Sequence, residues 1–198
     1  MKNISLFFAS AVLAVYVITS CNDASSTTKK ETVTLDSTQL VERGRYLVTA
    51  IGCDDCHSPK KMGPNGPEVI NDLRFSGYPS NRPFNKISTD AFNKGWMTFN
   101  GDLTCAAGPW GLSFAANITS DSTGIGNWNE AQFIKSLREG KSKGLDNNRP
   151  LLPPMPWQNF RNLNDEDLKA IFQFLKTTKP VHNVVPQPVS PADAMKMQ

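Results

Sequence analysis

Cys53-Asp54-Asp55-Cys56-His57 is the stretch of this chain best equipped for chemistry. Two thiols three residues apart, at the fraying end of a helix, can each bond one vinyl group of a single porphyrin. His57, directly after them, is then aimed at the iron from the same side. C-x-x-C-H is thus read as the attachment motif of one covalent haem, with Cys53, Cys56 and His57 as its anchors. Two other uses of C-x-x-C compete with it. A thioredoxin-like redox pair follows a strand in a βαβ context, which the sequence does not suggest here. A zinc site needs a second pair, and no second C-x-x-C occurs.

A haem iron that carries electrons needs a second axial ligand. Besides His57 the chain has one histidine, His182, and six methionines. Met1 leaves with an export signal, Met195 and Met197 lie in the tail, and Met62 is too near His57 to reach the other haem face. Met97 and Met155 remain. Met155 sits in Pro153-Pro154-Met155-Pro156-Trp157, where prolines fix φ and hold a soft thioether in place without a helix. The competing reading is an ordinary core methionine. Ligation by His57 and Met155 is favoured because it raises the potential and suits electron transfer.

These residues must be positioned by helices. Leu40, Leu47, Val48 and Ile51 recur at helical spacing, with Ser37 or Thr38 as N-cap, and the helix stops at Gly52 just before the motif. Gly44 inside that helix costs stability unless another helix approaches there. A second helix is expected over 130–139, capped by Asn129 and stopped by Gly140. A last one is expected over 165–177, capped by Asn164, with Leu168, Ile171, Phe172 and Leu175 as its apolar stripe. Residues 58–128 are rich in Gly, Pro and Asn, and a structureless loop of that length is unusual. Short helical turns and a small hairpin around 103–107 and 111–116 are expected there.

The ends of the chain read differently. Residues 1–20 form an export signal, with Lys2 ahead of a short apolar run, and Ile18-Thr19-Ser20-Cys21 looks like a bacterial lipobox. That makes Cys21 a lipidated anchor rather than a redox thiol, and several acyl chains on one residue hold a protein at a bilayer. Residues 21–38 are a Ser/Thr-rich tether with little to bury. The domain is expected over 39–185, followed by an extended tail at 186–198. Cys105 is left as a buried, inert thiol. The net charge of +3 comes without a basic block, which excludes nucleic acid as a partner. No Ser-His-Asp set, P-loop or dinucleotide fingerprint appears.

With these residues in view, the chain resembles the membrane-associated class I c-type cytochromes found beside periplasmic dehydrogenases and oxidases, over about Leu40 to Val189. The likeness rests on five pieces: Cys53 to His57 followed by Pro59-Lys60; Gly108 to Gly111 leading to Asn117-Ile118-Thr119; Thr123 to Trp128; Pro153 to Trp157; and Asp165 to Ala170. It implies an all-α haem cup whose first and last helices cross, with Phe172 or Leu168 as the partner of Gly44. It implies Met155 as distal ligand. Asn117 and Trp128 are candidates for the haem propionates, or are plain packing and turn residues. The carbonyl of Pro64 or Pro59 is a candidate acceptor for the His57 Nδ1 proton. Many relatives of this type carry two or three C-x-x-C-H motifs and this sequence carries one, so it holds one electron.

The expected function is electron transfer at the periplasm-facing surface of the inner or outer membrane, between a dehydrogenase or oxidase and another carrier, without catalysis of its own. Asn22 after the lipidated cysteine leaves the outer membrane open. A haem peroxidase or oxidase, or a haem-based sensor, is the alternative, and either needs an open sixth position on the iron.

Overall fold

The computed structural model describes residues 35–83 and 94–197. The export signal, Cys21 and most of the tether lie outside the described residues. Helix α1 spans Ser37–Ala50 and its N-cap is Asp36, not Ser37 or Thr38. The Asp36 carboxylate accepts from the Gln39 N–H at 2.9 Å, and the Gln39 side chain accepts from the Asp36 N–H at 3.0 Å. This reciprocal pair satisfies two donors at once, which a lone Ser or Thr does not. After a turn at Ile51–Gly52, the short helix α2 carries Cys53–His57. Helix α3 is Glu130–Glu139, between the expected caps Asn129 and Gly140. The one-turn helix α4 is Trp157–Phe160. Helix α5 is Asp165–Lys176, capped by Asn164.

The fold is not all-α. Two small antiparallel sheets fill the long connection after α2. The first pairs β1 (Lys60–Gly63) with β2 (Gly66–Val69), in the register Lys60 to Val69 and Gly63 to Gly66. The second has the order β3 (Thr98–Phe99), β4 (Cys105–Gly108), β5 (Gly111–Phe114), with Cys105 opposite Phe114 and Gly108 opposite Gly111. The β4–β5 pair is the hairpin expected from the glycines. The other strands have a general physical reason: a connection this long packs against the core only if its backbone groups find partners, and ladders supply them.

The tail is not simply extended. Leu112 and Val189 exchange N–H···O bonds of 2.9 and 3.1 Å, and helix α6 (Pro191–Ala194) follows. Ala194 is buried with Ala107 and Leu112 in a small second cluster. Apolar side chains on β4 and β5 provide the surface that docks it.

The main core lies where α1 crosses α5, around Val48, Leu168, Ile171 and Leu175, and extends to Phe75, Ile125 and Phe133. Gly44 is the crossing point. Its partner is the expected helix but not the expected residues: a Cβ there would lie 2.6 Å from the Ala170 carbonyl carbon and 2.7 Å from the Phe174 Cβ. No helix among the described residues is long and apolar enough to cross a membrane.

Candidate haem site

The attachment motif is aimed by its flanks. Gly52 adopts φ +75°, the left-handed turn that ends α1 and starts α2 on a new axis. Asp54, inside the motif, is clamped. It takes 2.6 and 2.9 Å bonds from the Arg74 guanidinium and a 2.6 Å bond from the Ser58 hydroxyl, which itself accepts from the Phe75 N–H at 2.9 Å. Burial pushes the Asp54 carboxyl pKa up, but Arg74 and Ser58 outweigh it and hold the group below its usual range. The helix is thereby fixed to the chain at residues 74–75.

Both motif thiols are free. Burial, reinforced by Asp54 and Asp55, pushes Cys53 up to about 12, and burial with Asp55 raises Cys56 as well. A catalytic redox cysteine needs the opposite shift, and a zinc ligand needs the thiolate. Among the described residues no cluster of three or more His, Cys, Asp or Glu could hold a metal ion. A pair of protonated thiols beside a histidine suits addition across two vinyl groups.

His57 is held from two sides. Its Nδ1 lies 2.7 Å from the Ala116 carbonyl oxygen. A carbonyl can only accept, so Nδ1 carries the proton and Nε2 presents its lone pair outward. Burial lowers the imidazole pKa and keeps the ring neutral, as a metal ligand must be. The acceptor is therefore neither Pro59 nor Pro64. The Pro59 carbonyl takes the Ile70 N–H, and Pro64 sits at the tip of the β1–β2 hairpin. Meanwhile the His57 carbonyl accepts from the Gly77 N–H at 2.8 Å.

Ala116 is placed by a short ladder. Tyr78 N–H donates to Ala115 and Ile118 N–H donates to Phe75, at 3.0 and 2.9 Å. Gly77 lies between these bonds at φ +75°, and a Cβ on it would sit 2.6 Å from the Ala116 oxygen. The contact spans 59 residues, so no local sequence signal could have found Ala116.

Met155 is half-buried and packs against the main core, as do Cys53, Ile118 and Trp128. The segment leading into it is tied at two points. The Pro153 carbonyl accepts from the Ser113 hydroxyl at 2.6 Å, and the Leu151 N–H donates to Gly140 at 2.6 Å. These half-exposed apolar groups around the thiols, with a neutral imidazole offering Nε2, fit a covalently held porphyrin.

Asn117 is buried. Its amide donates to the Val181 carbonyl at 2.8 Å and the Thr123 hydroxyl at 3.0 Å, while its oxygen accepts from Thr119 N–H and hydroxyl at 3.0 and 2.7 Å. Those bonds brace the loop that leads to Trp128. Cys105 is buried, and burial pushes its thiol up to about 11.

The family model described as Cytochrome c matches residues 41–179, from within α1 to just beyond α5. The chain belongs to the cytochrome c family. This cytochrome is 29% identical over 151 residues to a subunit of the nicotinate dehydrogenase of Pseudomonas putida, covering 76% of this chain and 10% of that protein. It is 30% identical over 148 residues to the gluconate 2-dehydrogenase cytochrome c subunit of Pantoea cypripedii, covering 74% of this chain and 24% of that one. It is 28% identical over 144 residues to the fructose dehydrogenase cytochrome subunit of Gluconobacter japonicus, covering 71% and 22%. The chain thus spans about a quarter or less of the length of these relatives. As a cytochrome c it binds haem c covalently and works in haem-based electron transfer.

Proposed function

We propose that this cytochrome is a single-haem carrier, lipid-anchored through Cys21 at the periplasm-facing surface of the inner or outer membrane, that takes electrons from a dehydrogenase and passes them on. The support for the partner is that the three relatives are named as subunits of nicotinate, gluconate and fructose dehydrogenases. The support for a carrier rather than a substrate-oxidising subunit is one attachment motif and a sequence with no other catalytic set.

Bound haem supplies a one-electron ferric–ferrous couple. The chain's own residues do the rest. Cys53 and Cys56 hold the porphyrin edge. His57, locked by Ala116 in the tautomer that frees Nε2, would hold the iron through that nitrogen. Met155, on its proline loop, would supply the second protein ligand, and with both in place the iron would offer no site to a substrate. Trp128, half-buried against the main core, is the candidate donor to a propionate, and Asn117 fixes its loop from behind. The half-exposed apolar groups Cys53, Ile118 and Met155 would be covered by the bound porphyrin, which would exclude water there and keep reorganisation small.

The His57–Ala116 bond is the observation that carries this reading, because it leaves a neutral, aimed imidazole directly after two thiols. The visible spectrum of the mature holoprotein tests it. A low-spin, six-coordinate spectrum with the far-red methionine-to-iron band is expected, and Met155→Ala should abolish that band. An unaltered spectrum in the variant removes Met155 as ligand. A high-spin native spectrum, or rapid CO binding, favours a haem oxidase, peroxidase or sensor instead. For the anchor, Cys21→Ser should move the protein from the membrane fraction to the soluble one.

A further inference from the structure

The haem-attachment helix ends on a cation. Lys60, the first residue of β1, directs its ammonium at four main-chain oxygens: Asp55 at 2.8 Å, Ser58 at 3.0 Å, and Asp54 and Asp102 at 3.1 Å each. Asp54 and Asp55 belong to α2, so the ammonium sits at the C-terminal end of that helix, where the negative end of its dipole lies. A lysine on the surface forms no such cage, since its stem is free to move. Here the fully buried Pro59 on one side and the β1–β2 ladder on the other fix where the stem starts.

No carboxylate oxygen belongs to the cage itself. Asp54 is paired with Arg74 at 2.6 Å, and Asp102 with Arg82 at 2.6 Å. Asp55 is exposed to water, which screens it. Lys60 makes no ion pair among the described residues; its partners are neutral carbonyls. It therefore places one positive charge, held by neutral carbonyls, three residues along the chain from His57.

We propose that Lys60 is a potential-setting residue: a caged ammonium at the end of the attachment helix that favours the reduced state of the haem. Reduction adds one electron from the upstream donor and no proton, since His57 is neutral and stays so, and it lowers the total charge of the centre by one unit. A fixed cation nearby favours that change and opposes its reversal. The inference rests on His57 being the proximal ligand, which the spectrum reads separately from the potential.

The test is an optical redox titration of the holoprotein with Lys60→Met, Lys60→Gln and Lys60→Arg, in low and high salt. The neutral variants should keep the native ligation spectrum while the one-electron equilibrium constant for reduction falls by about tenfold, which is about 59 mV. Lys60→Arg should retain most of the native potential. High salt should leave the difference largely intact, because the cage excludes counterions better than an open surface does. A neutral variant with a native spectrum and an unmoved potential overturns the proposal, whatever its melting temperature. Failure of both neutral variants to yield folded haem protein while Lys60→Arg succeeds also overturns it, by assigning Lys60 to stability alone.

Discussion

Gly44 of α1 and Ala170 of α5 meet backbone to backbone, with Phe174 closing the contact from the next turn. Alanine in place of a helical glycine ordinarily gains about 1 kcal/mol. At this crossing a methyl group would drive into main chain that cannot rotate away, and forcing it in costs roughly 1–3 kcal/mol. The steric cost should win. Gly44→Ala is expected to lower the melting temperature of the holoprotein by roughly 2–8 °C, followed by circular dichroism. An unchanged or higher value would mean that the two helices separate at little cost.

The parts legible in sequence were those encoded within a few residues. The attachment motif, the caps Asn129, Gly140 and Asn164, and the apolar stripe of α5 all depend on near neighbours, and all lie where expected. Even the need for a partner at Gly44 was visible, though its identity was not: the contact falls two residues further along α5, on Ala170 and Phe174 rather than Leu168 and Phe172. The strands and the docked tail were hidden for a different reason. β1, β2 and β3 are short and carry little alternation, and the Val189–Leu112 pairing joins positions far apart in the sequence. The acceptor for His57 belongs to this second class: an alanine carbonyl has no side-chain signature at all.

Gly77 should matter for the haem more than for the fold. It holds φ +75°, a conformation that strains a side-chain-bearing residue by about 1 kcal/mol or more. Its missing Cβ also makes room for the Ala116 carbonyl. Gly77→Ala should push that acceptor away from Nδ1 and loosen the imidazole. The expected result is native-like helicity with a shifted reduction potential and weaker haem ligation, read from the optical redox titration and the methionine band. A native potential would show that the Ala116 bond does not tune the ring.

Removing residues 189–198 tests the docked tail. The deletion loses the two bonds between Leu112 and Val189 and uncovers Leu112, Ala107 and the surface that buries Ala194. Two bonds at the usual net value contribute roughly 1–3 kcal/mol. Denaturant unfolding should show a loss of that order. The haem spectrum should stay unchanged, since the second cluster shares no residue with the core beneath Cys53 and Met155.

Asp102 should give the domain an acid-sensitive clasp. It receives Arg82 at 2.6 and 3.0 Å, the Asn100 amide at 2.8 Å and the Thr104 hydroxyl at 2.7 Å. Burial alone would raise its pKa, but the guanidinium and the Thr104 donors outweigh it and hold the carboxyl at about 2. The unfolded value is about 3.9. A depressed folded pKa means that the contribution is complete above about pH 4 and is lost as the pH falls from there towards about 2. Water reaches Arg82, whose side chain is 31% exposed, so the contribution is about 1–2 kcal/mol rather than the full linkage value. Asp102→Asn should therefore be less stable than the native protein at neutral pH. The gap should narrow as the pH falls from about 4 and close only below about pH 2, where protonation removes from the native chain the same charge that the substitution removed. Urea unfolding midpoints across this range measure the gap. A gap that stays constant with pH would place the role of Asp102 in its shape and hydrogen bonds, independent of its charge.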